Sequence, residues 1–193
     1  MARLKSEQTE KDAARMAAAL MAASARTAPK GAGIDDTDTL IVDGNDLEEL
    51  AAAMERKAET QTPLWASVFK TCANNVRNSS CVLLIGVMGH SKQIPIKPRE
   101  PLDCGACGFV SCEKFDKARK QGKDFSGAIC AFQAMDLGIA LGSAVKMASQ
   151  LNIDNRIMYV VGAGAKELRL LDSDLVIGIP LSITRKNPYF DRR

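Results

Sequence analysis

Apolar and polar positions along the chain repeat at two periods, and the changes of period mark out its elements. From Thr9 to Ala25, the residues Ala13, Met16, Ala17, Leu20 and Ser24 recur at helical spacing, which predicts an alanine-rich helix packed closely on its small face and ending at Thr27-Ala28-Pro29. Gly31 and Gly33 open a loop. Leu40-Ile41-Val42 follows as a short strand, and Asp43-Gly44-Asn45-Asp46 turns the chain and caps a second helix carrying Leu47, Leu50, Ala51, Met54 and Ala58. Thr62-Pro63, a cap and then a proline at the first helical position, starts a third helix. Its apolar face is Leu64, Trp65, Val68, Phe69, Cys72 and Val76.

Cys81 to Met88 is apolar without interruption between Ser79-Ser80 and Gly89, the pattern of a strand buried on both faces. His90 to Pro101, broken by Pro95, Pro98 and Pro101, predicts an extended linker. Ala131 to Gln150 is a helix with little polar face, and its Gly138, Gly142 and Ser143 allow close packing against the sheet or against a second copy of the chain. Further on, Arg156 to Val161 reads as a strand, Gly162-Ala163-Gly164 as a turn, Lys166 to Leu171 as a short helix and Leu175 to Leu181 as a second buried strand, with a polar tail from Tyr189 to Arg193. Helices and buried strands alternate, which predicts an α+β fold: a mixed sheet flanked by helices, its core built from 1–95 and 133–193, with a small module inserted at 96–132.

The module carries the candidate chemistry. Cys104, Cys107, Cys112 and Cys130 are spaced C-x2-C-x4-C-x17-C, so that three thiols share one loop and the fourth closes the set from a distance. Four thiolates satisfy either an iron-sulfur cluster or a tetrahedral zinc ion. A single C-x2-C without histidine departs from the usual zinc knuckles, since His90 lies outside the segment. Gly105, Ala106 and Gly108 let the backbone wrap closely and turn its N–H groups inward. Phe109, Cys112, Phe115 and Ala118 then fall one helical turn apart, placing Cys112 in a first turn where the helix dipole is expected to lower its pKa. The basic residues Lys114, Lys117, Arg119, Lys120 and Lys123 form a solvated face or, alternatively, a docking surface for an acidic electron-transfer partner.

Composition narrows the class. With 193 residues, 46% hydrophobic and 25% charged, the chain suits one sizeable core or a core plus a small module, and its net charge of +3 is too small and dispersed to argue for nucleic acid. No apolar run reaches the roughly 18 residues of a membrane span. Lys5, Glu7, Glu10, Lys11 and Asp12 interrupt any signal-like segment, so a cytoplasmic protein is expected, where six cysteines point to metal or redox chemistry rather than disulfides. Cys72 and Cys81 read as small core residues and His90 as a turn residue. Asp103 with Arg99, and Asp154 with Arg156, are candidate ion pairs.

The phrase DCGACGFVSC with its distant final cysteine resembles the small 4Fe-4S domain, C-G-x-C-G-x-x-x-C, of electron-transfer subunits and corrinoid iron-sulfur proteins of anaerobes. The phrases ARTAPKGAGIDD, DLGIALGSAVKMAS, IDNRIMYVVGAGA, VIGIPLS and KNPYFDR resemble a family of prokaryotic ferredoxin-domain-containing proteins without an assigned reaction. More remotely, the order of elements is similar to the nitroreductase-like FMN fold, which implies a three-layer αβα architecture and a homodimer packed through the helix at 137–148. That likeness implies flavin contacts at Arg26 and Lys30 in the first loop, at Gly162, and at Lys186 or Arg192 in the tail. An R-R-S-x-R phosphate phrase is absent from Met1 to Lys11, and Lys30 replaces the usual serine. Two function classes remain open: a redox protein with a 4Fe-4S cluster, working with FMN or as an electron carrier toward a redox partner protein or small-molecule substrate, and a non-enzymatic binding or assembly protein with a structural zinc site. Whether the chain is an enzyme is left open.

Overall fold

The computed structural model describes residues 3–95 and 100–190. Pro98, the Arg99 half of one candidate ion pair, and Arg192 lie outside them. At the centre stands β2 (Cys81–Val87), with every residue buried. It lies between β1 (Thr37–Asp43) and β8 (Leu175–Ser182), so that Leu84 is opposite both Leu40 and Gly178. The sheet runs in the order β1-β2-β8-β7, with β7 (Asp154–Asn155) at the edge.

An unbroken apolar strand needs cover on both faces, and it has it. Because side chains alternate across a strand, Leu83, Ile85 and Val87 pack under α1 (Ser6–Thr27) and α5 (Ala131–Gln150), while Val82 and Leu84 pack under α2 (Asp46–Glu59), α3 (Pro63–Arg77) and α6 (Tyr159–Glu167). The result is three layers, α1/α5, sheet and α2/α3/α6. Small residues bring α1 and α5 together: Ala14, Ala17 and Ala18 are buried against Ala140 and Ala144, and Ser24 and Ser143 share a 2.8 Å hydroxyl contact. Gly138 and Gly142 turn outward, with nothing within 4 Å of a Cβ built there.

The α+β class with a sheet flanked by helices is thus as expected, but three details differ. The named strand pairs of the sheet are antiparallel throughout rather than mixed. Arg156 to Val161 is not a strand and Gly162-Ala163-Gly164 is not a turn, because α6 runs straight through both glycines. Interior glycine ordinarily weakens a helix by about 1 kcal/mol, yet here its missing side chain lets α6 lie on the backbone of β8: a Cβ at Gly162 would collide with the Val176 carbonyl oxygen, and one at Gly164 would stand 2.5 Å from Met54 Cγ. Gly162→Ala should therefore lower the unfolding free energy by at least about 2 kcal/mol through overpacking; an unchanged urea midpoint would remove the close-approach argument. Finally, Tyr189, read as the start of a polar tail, is a core residue, 2% exposed with its hydroxyl 2.9 Å from Ser79 Oγ. Asp154 accepts from Asn187 Nδ2 at 2.9 Å, and the Arg156 expected to pair with it donates to the Tyr189 carbonyl and lies over the Phe190 ring.

The segment expected as an inserted module follows β2. Its linker holds a minimal ladder of β3 (Gln93–Ile94) and β4 (Glu100–Pro101); then come a loop, the seven-residue α4 (Cys112–Ala118), and a small hairpin of β5 (Lys120–Gln121) and β6 (Ser126–Gly127). The hairpin tip rests on the core through Lys57–Asp124 at 2.9 Å and the edge-on Phe125–Tyr159 ring contact.

Candidate metal centre

Local backbone chemistry shapes the cysteine loop. Gly105 and Gly108 take positive φ values of 73° and 83°, and the Gly108 N–H closes the turn on the Gly105 carbonyl at 2.9 Å. Asp103, also left-handed at 43°, accepts the Cys112 N–H at 2.6 Å, and Ser111 caps α4 by accepting the Lys114 N–H. Cys130 is set from the opposite side: its N–H donates to the Gly89 carbonyl at 3.0 Å just beyond β2, and it stands at the cap of α5. All four cysteines consequently line one pocket, walled also by Leu102, Phe109 and Phe115. Phe115 is buried, and Phe109 meets it edge-on at 5.5 Å.

The depth of the thiols is graded. Cys104 is exposed, Cys107 and Cys112 are half-buried, and Cys130 is buried. Free space between the walls is about 10 Å³, comparable to one water. Among the described residues no three His, Cys, Asp or Glu side chains converge on a single-ion site; the thiols share a pocket without closing on one point. The donor set, four thiols on one pocket, fits a thiolate-bound metal group.

Cys112 does occupy the first turn of α4, but its thiol pKa moves up rather than down. Burial is the main cause, and the Asp103 carboxylate adds to it. A seven-residue helix whose first N–H already meets a carboxylate has little dipole left to offer. Cys81, buried with Sγ against the Ala14 carbonyl, is pushed by burial up to about 12, and burial likewise raises the half-buried Cys72. Both pack in the hydrophobic core as expected. With any bound metal removed and the fold intact, iodoacetamide at pH 8 should therefore label Cys104 rapidly and leave Cys81 untouched; equal labelling by mass spectrometry would contradict that assignment.

The basic stretch is not one solvated face. Lys117 pairs with Glu113 in solvent, but Arg119 is a brace, its Nη2 on Asp174 and its Nε donating to the Ala128 carbonyl at 3.1 Å. Lys123 reaches the Thr60 carbonyl at 3.0 Å and Gln61 Oε1 at 2.9 Å. Sequence patterning also missed the buried Lys92, Gln133 and Asp136 and the half-buried Asp36, because Lys92 sits among prolines and the others are scattered. His90 has its Nδ1 3.0 Å from the Ser91 carbonyl and its Nε2 3.8 Å from Asp36.

Of the residues implied as flavin contacts, Arg26 and Lys30 meet at Asp35, at 2.7 and 3.9 Å, while Gly162 lies in the other helix layer. Arg26 pairs with Asp35 at 2.7 Å and donates to the Thr37 carbonyl at 2.8 Å. Lys30, nearly enclosed, donates to the Ala25 and Ala28 carbonyls at 2.9 and 2.8 Å and finishes α1. Gly162 is buried in the opposite helix layer against β8, and Lys186 lies in the tail with its carbonyl accepting from Thr184. The first two serve local structure.

Comparison with known proteins completes the picture. Residues 126–192 match the family described as "uncharacterized protein containing a ferredoxin domain (DUF2148)", a segment that includes Cys130. An uncharacterized protein of Archaeoglobus fulgidus is 45% identical over 189 residues, covering 98% of this chain and 97% of its own. The chain belongs to the DUF2148 ferredoxin-domain family. Among solved structures, this DUF2148 chain is similar to a nitroreductase-like family protein from Bacillus cereus, with a TM-score of 0.56 at 9% identity over 93% of this chain and 79% of that one. A nitroreductase with bound FMN from Desulfitobacterium hafniense gives 0.52 at 12% identity, over 92% and 82%. The fold of the DUF2148 chain is therefore nitroreductase-like. No helix among its described residues is long and apolar enough to cross a membrane.

Proposed function

We propose that this protein is a redox protein whose Cys104, Cys107, Cys112 and Cys130 hold a 4Fe-4S cluster. The observation that carries the reading is the convergence of four thiols, from a glycine-hinged loop and from the start of α5, on one pocket. Ligands of a cube bind different corners, and a single C-x2-C followed by C-x4-C and a distant cysteine, without histidine, suits a cube better than the paired knuckles usual for zinc. A bound cluster supplies one-electron transfer. The chain's own part is to bury Cys130, seal the inner wall with Phe115 and leave Cys104 near solvent, on the side from which a redox partner would approach.

The fold also makes FMN a candidate cofactor, with Arg26 and Lys30, which hold Asp35 and the end of α1, as the cationic side chains nearest the first loop. A second copy of the chain is the proposed partner for the outward face of α5, where Met135 and Ile139 are exposed beside Gly138 and Gly142, flanked by Met16 and Leu20 of α1. Ile139→Glu would place a charge in that contact and should convert a dimer to monomer in light scattering; a wild type already monomeric would dismiss it.

The test of the main reading is iron, acid-labile sulfide, zinc and flavin analysis on protein purified without oxygen. About four irons and four sulfides per chain are expected. One zinc with neither sulfide nor flavin would replace the redox reading by a structural site.

A further inference from the structure

A second cavity opens between α3, α6 and the tip of the β5–β6 hairpin. Trp65 and Phe69 stand one helical turn apart on α3 and so share one of its faces, Tyr159 opens α6 beside them, and Gln61, just before α3, completes a space of about 400 Å³. Phe69 belongs to the core, but Trp65 and Tyr159 are 46% and 40% exposed. Their ring centroids lie 6.1 Å apart at 59°, and Phe125 meets Tyr159 edge-on at 5.4 Å. Single apolar side chains at a surface are ordinary. A linked row of rings at the mouth of a cavity is not, and it offers a flat, poorly hydrated seat for another ring.

The polar groups at this wall surround one unspent cation. Lys123 Nζ donates to the Thr60 carbonyl at 3.0 Å and to Gln61 Oε1 at 2.9 Å. Those contacts occupy two of the three donors of an ammonium, and both acceptors are neutral. The acid beside it is already answered: Lys57 lies 2.9 Å from Asp124 Oδ1, and the Tyr159 hydroxyl donates to Oδ2. Two lysines against one carboxylate leave the hairpin tip with a net charge of +1. Behind the tip a further cavity of about 470 Å³ adds Lys166 and Arg169 against Glu167 and Asp172, with Glu167 paired to Arg56 at 2.8 Å, so the surroundings do not reverse that sign. Gln61 contributes a donor. Its Oε1 is taken by Lys123, while its enclosed Nε2 has no hydrogen-bond acceptor among the described residues. An amide donor is costly to leave unpaired, and a heteroatom on a ring bound in the cleft would supply the missing acceptor.

We propose that this cleft binds a flat aromatic anion, with the ring lying on Trp65 and Tyr159 and the acidic group on the Lys123 ammonium. A ring without charge gains the stacking alone, and a charge without a ring gains only a screened surface contact, so tight binding needs both on one molecule. The volume suits a small molecule. None of these residues lines the four-cysteine pocket, so the site stands whether that pocket holds a cluster or zinc.

The test uses protein purified without oxygen, at low salt, with adenosine 5′-monophosphate as probe. Titration calorimetry reads affinity, and the emission of Trp65, the single tryptophan of the chain, reads location. The nucleotide should bind and change that emission, whereas adenosine, which lacks the charge, and ribose 5-phosphate, which lacks the ring, should each bind at least about fivefold more weakly. Lys123→Gln should weaken the nucleotide about fivefold and leave adenosine within about twofold; a merely structural role for Lys123 would weaken both alike and overturn its assignment. Trp65→Ala, at a half-exposed position, should weaken the nucleotide at least about fivefold by calorimetry, and it decides the matter if Lys123→Gln does not fold. Naphthalene-2-sulfonate has the ring and the charge without the purine, and its binding alone would support the site with a ligand that is not a nucleotide. Equal affinity for the nucleotide and adenosine overturns the anion contact. Binding that leaves the Trp65 emission unmoved places the ligand elsewhere and overturns the proposal, as does the failure of both aromatic anions to bind at millimolar concentration.

Discussion

Cys112→Ser is expected to lose at least nine-tenths of the metal and sulfide retained by the wild type, while the central sheet stays folded. The first part follows from chemistry: a serine hydroxyl is not ionised near neutral pH, and the thiolate is the ligand. It also follows from position, since of the four candidate ligands Cys112 alone lies within a helix, with its N–H on Asp103 and its turn capped by Ser111. The second part follows from the layering, because Leu83 and Ile85 are covered by α1 and α5 and Val82 and Leu84 by α2, α3 and α6, none of which belongs to the loop. Hydrogen exchange separates the two effects: amides of 102–118 should lose protection in the variant and those of 82–86 should keep it. A full metal complement in Cys112→Ser would remove this residue from the ligand set. Global loss of protection would show that the cysteine segment is no independent insertion in the core.

Much of this layout was legible before the structure, for reasons particular to each residue. The run from Cys81 to Val87 can only be a strand with two covered faces, and Thr62-Pro63 can only begin something. The cysteine spacing announced four thiols in one site because C-x2-C-x4-C forces three of them into one loop. What stayed hidden depended on tertiary approach. Gly162 and Gly164 look like a turn to any local rule, and only the carbonyl of Val176 and the side chain of Met54 explain why a helix runs through them. Lys92 looked like linker, and Arg119 like surface, because the acids that hold them come from residues 36, 136 and 174. A helix dipole argument failed at Cys112 because burial and the neighbouring carboxylate act more strongly on its thiol.

Asp174→Ala should be the most damaging single change outside the hydrophobic core, lowering the unfolding free energy by about 3 kcal/mol, within the range for breaking a buried ion pair from one side. Asp174 precedes β8 and pins the cysteine segment to the sheet at four points. Its N–H donates to the Val87 carbonyl at 3.0 Å, its carbonyl accepts the Ser126 N–H at 3.1 Å, and its carboxylate accepts the Gly89 N–H at 2.7 Å while pairing with Arg119. Both charged side chains are largely enclosed, at 20% and 15% exposure. Truncation leaves the guanidinium and the Gly89 N–H without their acceptor, and water has little room to replace it, since a Cβ on Gly89 would already touch Ile129 and Arg119. Gly89 is also the residue whose carbonyl receives the Cys130 N–H, so the loss should reach the metal ligands: retention should fall together with stability. In a protein of this size, about 3 kcal/mol corresponds to a fall in melting temperature of roughly 6–12 °C. Asp174→Asn, which keeps an acceptor for Gly89 but not the charge, should fall between the two. A melting temperature for Asp174→Ala within a degree of wild type would mean that the segment is held by its ring contacts and the Lys57–Asp124 pair instead.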